Sequence, residues 1–142
     1  FIYSPQEATE AYGLKERVSH QEACSRWDTI MQIQQEIAFS HARNQVGRVI
    51  EVMLDEPLDK DEKDSLRKHR IMGKELVRFT WRGRTHADAP EVDGKVYLSG
   101  RGFVHGTVRE ALIVGTHGYD LLGVTSKAAL ARNLVHRNPV FF

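Results

Sequence analysis

GKVYLSGRGFVHGTVREALIVGTHGYDLLGV, residues 94–124, decides the fold. Three short apolar runs stand in it: Val96-Tyr97-Leu98, Leu112-Ile113-Val114 and Leu121-Leu122-Gly123-Val124. Glycines at 94, 100, 102, 106, 115 and 118 punctuate them. Runs this short, bounded by turn formers and rich in β-branched residues, read as strands. Two further runs lie upstream, Val49, Ile50, Val52, Met53, Leu54 and then Leu76, Val77, Phe79, Trp81, the second followed by Gly83. Five short strands with glycine-rich turns predict a small closed or nearly closed barrel. Between the first two, Asp55 to Lys68 is a charged interruption, read as a loop carrying a short helix.

Toward the N-terminus the period changes. Ser19 followed three residues later by Glu22 is a capping-box pattern. Ala23, Trp27, Ile30, Gln34, Ile37 and His41 then recur at spacings of four and three, with Cys24, Met31 and Ala38 flanking them every seven. This predicts a helix over 19–43, a linker reaching residue 45, with one broad apolar face and Gly47 ending it. The stripe covers less than four heptads, so a packed linker helix is expected rather than a coiled coil. Residues 1–18 open on the β-leaning Phe1-Ile2-Tyr3-Ser4-Pro5 and turn polar around Gly13. They read as the last strand of a preceding domain, and the chain, opening on Phe1, as a piece of something longer. After Thr125 a short helix is expected through Lys127–Leu134, within a tail of 125–142.

The chain has 142 residues, 41% hydrophobic and 27% charged, the composition of one ordinary folded domain or a small domain with extra elements. No stretch approaches the roughly 20 apolar residues of a membrane-spanning helix. Cys24 is the single cysteine, which excludes a disulfide framework, a four-thiolate zinc site and a self-contained iron–sulfur cluster. The net charge of +1 conceals blocks. Residues 47–64 are net −4, and residues 66–84 are net +6 through Arg67, Lys68, Arg70, Lys74, Arg78, Arg82 and Arg84 against Glu75.

Candidate chemistry is sparse. The seven histidines show no pair at the spacing that puts two imidazoles on one helical face, so scattered surface histidines are expected and no metal site. Cys24 reads as a buried, inert thiol. Asp88, Glu91 and Asp93 place three carboxylates in six residues of the segment Gly83–Gly94. They lack the ligand ladder of a calcium loop and read as a turn, with Asp88 accepting backbone hydrogen bonds and Pro90 fixing a dihedral. The basic segment has two readings. Arg78, Arg82 and Arg84 interleaved with Phe79 and Trp81 would grip RNA by phosphate contact and stacking. Equally, Phe79 and Trp81 share one strand face and would point inward as core while the charges are solvated.

The pieces together resemble a known family. Phe1-Ile2-Tyr3-Ser4-Pro5-Gln6-Glu7-Ala8-Thr9 is similar to the end of the catalytic barrel in radical SAM methylthiotransferases. Arg26, Ile30-Met31, Gln34-Gln35 and Ile37 resemble the linker helix that follows it, and Asn44-Gln45-Val46-Gly47-Arg48 resembles the start of the TRAM domain. Gly83-Arg84-Thr85, the run Asp88-Ala89-Pro90-Glu91-Val92-Asp93-Gly94 and Gly118-Tyr119-Asp120-Leu121-Leu122-Gly123 are similar to the RimO-type branch, which modifies a ribosomal protein. Ala8 stands in place of the usual glycine, Glu10 where proline is common, and residues 55–70 look like an insertion.

The resemblance implies a mainly β chain: the end of the radical SAM domain over 1–18, the linker helix over 19–45, a five-stranded OB-like TRAM barrel over 46–124, and the tail. It implies a cytoplasmic parent enzyme with two [4Fe–4S] clusters and S-adenosylmethionine, methylthiolating an aspartate of small-subunit ribosomal protein twelve. The cluster cysteines belong upstream, so this chain is expected to hold no cofactor, to be non-catalytic alone, and to hold the ribosomal protein, or the ribosome, for its upstream domain. The residues expected to touch substrate are Arg78, Arg82, Arg84, Asp88, Glu91 and Asp93. Two alternatives stand beside this: the sister enzyme that modifies transfer RNA, which the basic segment suits, and a stand-alone RNA-binding module. The acidic Asp88–Asp93 loop suits a basic protein better than phosphate.

Overall fold

The computed structural model describes residues 1–15, 17–66, 77–90 and 92–125. It divides into two compact units, Phe1–Ala38 and Phe39–Phe142. Helix α1 spans His20–Gln45, and five strands follow: β1 Val49–Pro57, β2 Trp81–Arg84, β3 Val96–Ser99, β4 Val108–His117 and β5 Asp120–Val124. A short helix α2, Lys60–Leu66, lies between β1 and β2.

In the first unit, the Ser19 hydroxyl accepts the Glu22 backbone N–H at 3.2 Å, the cap read from the sequence. The apolar stripe is exposed here: Trp27, Ile30, Met31 and Ile37 all face solvent among the described residues, whereas the sequence reading had it packed. Cys24 is half-buried with its Sγ 3.5 Å from His20 Nε2. Phe1–Pro5 are not paired as a strand among the described residues. A strand exists through its ladder, and no described strand runs beside them. Ala8, where the resemblance has glycine, takes φ 64°, the left-handed region that an alanine enters at a cost of about 1 kcal/mol.

In the second unit the strands close as β1-β2-β3-β5-β4. All pairings are antiparallel except β3 with β5, which run parallel from Val96↔Leu121 to Ser99↔Val124. Gly47 ends α1 with φ 85°, and its N–H donates to the Ile113 carbonyl at 2.8 Å, so the helix stop also starts the barrel. Phe39, in the last turns of α1, packs its ring against Tyr119 with centroids 5.0 Å apart. Gly118 takes φ 62° at the first central position of the tight β4–β5 hairpin, which demands it.

Strand alternation sorts two hydrophobic clusters. Val52, Leu54, Val96, Leu98, Ala111 and Ile113 fill the barrel interior. Tyr97 lies between Val96 and Leu98, so it points outward. There it joins Leu122 beneath Leu58, Leu66 and Phe79 of the β1–β2 connection. Helix α2 therefore overlays the outer face of the barrel, anchored by Leu66, whose burial contributes about 2 kcal/mol.

The structure corrects four strand boundaries. The second strand begins at Trp81, not Leu76. Leu76 lies outside the described residues, Val77–Thr80 are irregular, and Phe79 is buried against α2 rather than paired. Gly83 and Arg84, read as loop, belong to β2, while Asp55–Pro57, read as the start of the insertion, end β1. The fourth strand is long, with Val108, Arg109 and Glu110 paired to Met53, Val52 and Glu51. The helix expected over Lys127–Leu134 lies outside the described residues.

Candidate functional site

The outer face of β1 and β2 is built by one irregularity. Leu54 pairs with Gly83 and Glu56 with Arg82, leaving Asp55 as the extra residue of a β-bulge. Inward positions are Leu54 and Gly83. The bulge turns two consecutive acidic residues, Asp55 and Glu56, to the outer side, opposite Arg84 and Arg82. Arg84 Nη1 donates to Asp55 Oδ1, and Arg82 Nη2 donates to Glu56 Oε1.

Helix α2 supplies the third carboxylate. Asp59 and Glu62 form a reciprocal capping box: the Glu62 N–H donates to Asp59 Oδ1 at 2.8 Å and the Asp59 N–H to Glu62 Oε2 at 3.1 Å. The other oxygen of Glu62 accepts from Arg82 Nη1 at 2.6 Å and from Lys95 Nζ at 3.4 Å. Glu62 retains only 13% of its side-chain exposure. Glu56 first, then Glu62, hold Arg82 still more firmly protonated than a guanidinium ordinarily is.

The β2–β3 connection forms the opposite wall. Asp88 Oδ2 accepts from the Thr85 N–H at 2.9 Å and the Thr85 hydroxyl at 2.6 Å, and Asp93 Oδ2 accepts from the Ala89 N–H at 2.7 Å. Both carboxylates thus cap turns of their own loop. His105 Nδ1 meets the Asp55 carbonyl. A carbonyl only accepts, so Nδ1 carries the proton. Between these walls lies an open cleft of about 520 Å³ bordered by Asp55, Glu56, Arg82, Arg84, Asp93, Lys95 and His105, with Ala89 and Pro90 as its apolar side.

Of the residues singled out from sequence, Arg82, Arg84 and Asp93 meet at this cleft, and Asp88 braces its wall. Arg78 is exposed ahead of β2, and Glu91 lies outside the described residues. Phe79 and Trp81 point inward, Phe79 into the cluster under α2 and Trp81 against the interior and the Phe103 ring at 5.8 Å. Neither is offered for base stacking. Asp55, Glu56, Glu62, Lys95 and His105 were not singled out. The adjacent acids Asp55-Glu56 at the end of an apolar run were the available signal. In the cluster under α2, burial pushes the Tyr97 hydroxyl above the ordinary tyrosine range and the Asp120 carboxylate adds to it.

The described residues contain no group of three or more His, Cys, Asp or Glu able to hold a metal ion, and no described helix is long and apolar enough to cross a membrane. The TRAM domain family model matches residues 46–125. The chain is 35% identical over 123 residues to the ribosomal protein uS12 methylthiotransferase RimO of Synechococcus sp. (strain JA-2-3B'a(2-13)), covering 87% of this chain and 22% of that protein. It is likewise 35% identical over 124 residues to the RimO proteins of Escherichia coli (strain K12 / DH10B) and Shigella boydii serotype 18, covering 87% of this chain and 24% of each. The chain therefore spans less than a quarter of the length of these curated relatives.

Proposed function

This chain belongs to the TRAM domain family, and on that premise we propose that it is the substrate-holding end of a cytoplasmic methylthiotransferase acting on an aspartate of a small-subunit ribosomal protein. The names of the relatives support the reaction and the partner. The observation that carries the reading in this chain is the cleft on β1 and β2 and the charge around it. Its two guanidiniums are already paired with carboxylates. The adjoining cap and helix α2 carry Asp59, Asp61, Glu62 and Asp64 against Lys60 and Lys63. A net acidic rim suits the basic surface of a ribosomal protein and repels phosphate.

The chain's part is to bind and orient. The two [4Fe–4S] clusters and S-adenosylmethionine that the resemblance implies supply the radical chemistry and sulfur. The residues here do not fit them, since one cysteine cannot supply the three thiolates of such a cluster. No chemical step is assigned to this chain.

Exposed Arg78 favours the second reading, a transfer-RNA partner. Titrating the chain with the purified ribosomal protein and with transfer RNA, over a salt series, decides between them. Binding of the protein in preference to the RNA supports the first reading.

A further inference from the structure

We propose that Asp55, Glu56 and Glu62 are specificity residues that mask Arg82 and Arg84 and thereby keep single-stranded RNA off this barrel. The inference deepens the reading above and rests on it only for the identity of the favoured partner.

Five-stranded barrels of this general kind present the outer face of strands 2 and 3 to oligonucleotides. In this chain Arg82 and Arg84 lie on that side of β2, and Lys95 immediately precedes β3. Three cations at one face would release counterions from phosphates and bind RNA without regard to sequence. Each is instead occupied. Both terminal nitrogens of Arg82 donate to carboxylates, Nη1 to Glu62 and Nη2 to Glu56. Arg84 donates to Asp55, and Lys95 lies 3.4 Å from Glu62. Three cations meet three carboxylates, so the cations offer a phosphate no net positive charge.

Three features show that the masking is built in. The bulge at Asp55 puts two adjacent acids on one side of β1, which regular alternation forbids. Glu62 is fixed by the α2 capping box before it reaches Arg82. Helix α2 is held over the barrel by Leu66, 4% exposed, and by Leu58, 2% exposed. The pairs to Glu62 and Asp55 are also partly withdrawn from water, with 24–28% exposure at the two arginines, 13% at Glu62 and 26% at Asp55, so a phosphate competes poorly for them, while Glu56 stays exposed.

The test uses the full chain and a fluorescein-labelled single-stranded RNA of about twenty nucleotides, read by anisotropy from about 0.05 to 0.2 M salt. The variant D55N/E56Q/E62Q removes three charges and keeps the shapes, and glutamine preserves the capping role of residue 62. The expected result is RNA binding about tenfold tighter than wild type, with a salt slope steeper by about 1.4, the value for two phosphate contacts on a single strand. Adding R82A/R84A should abolish the gain. A control variant, E7Q/E10Q/D28N, removes the same charge from exposed positions of the first unit and should leave RNA binding near wild type. Equal gain in the control, or a gain that survives R82A/R84A, overturns the proposal, as does no gain at all. Should the triple variant fail to fold, E56Q alone at the exposed end of β1 must still give a smaller gain that R82A removes. Binding of the ribosomal protein is measured in parallel. Its absence with the RNA gain present would sink the substrate reading and leave the masking standing.

Discussion

Asp55 and Glu56 lie on the same outer face only because β1 carries one residue too many. Without the bulge, alternation from inward Leu54 would keep Asp55 outside and turn Glu56 inward, away from Arg82. With it, both lie outside, and Asp55 pairs with a guanidinium 29 residues later in the chain. Asp55→Ala should therefore leave the barrel folded but cost about 1 kcal/mol, between a surface pair and a buried one. Urea unfolding against wild type measures it, and a cost near zero would mean that the pair is only solvated charge.

Glu62 has two jobs, and two substitutions separate them. Glu62→Ala removes the cap of α2 and the partner of Arg82, and should cost about 2 kcal/mol. Glu62→Gln keeps the cap and an acceptor for Arg82, and should cost less than half as much. Equal losses would show that charge, not the capping box, fixes α2.

Gly83 is an inward position where β1 and β2 touch. A Cβ there would fall inside contact distance of the Met53 carbonyl oxygen and 2.8 Å from Val52 Cγ1. Backbone cannot give way as a side-chain tip can. Gly83→Ala should destabilise the barrel by about 3 kcal/mol, seen as a shift of the thermal midpoint.

Tyr97 makes stability fall at alkaline pH. Burial, then Asp120, raises its folded value above the unfolded value of 10.0. The unfolded state therefore loses its proton first and binds fewer protons than the native state. The contribution is intact below pH 10 and lost as pH rises above it. Tyr97→Phe should flatten that part of the stability profile relative to wild type. Denaturant midpoints from about pH 8 to 11 check the difference.

Much of the fold was legible because it rests on local signals. Ser19 and Glu22 mark the start of α1, Gly47 its end, and the runs at 96–98, 112–114 and 121–124 all lie within strands. The second strand was misplaced because Phe79 and Trp81 alternate like strand residues. Phe79 instead packs under α2, a contact no local pattern encodes. The site was legible as residues, not as a state. Arg82 and Arg84 look like free cations in the sequence, and their partners lie 20, 26 and 29 positions away. Finding those partners needs the β1–β2 register and its bulge, and hydrophobic alternation is silent about both. The turn-capping roles of Asp88 and Asp93 span three and four residues and so could be anticipated.

The proposal that this barrel takes a ribosomal protein in preference to RNA has a direct test. Calorimetric titration of the full chain with the purified small-subunit ribosomal protein, and in parallel with transfer RNA, at about 0.15 M salt tests it most directly. Saturable binding of the protein is expected, weakened by D55N/E56Q/E62Q, with RNA binding at the level of a non-specific contact. Tight binding of transfer RNA with no heat from the protein would contradict it.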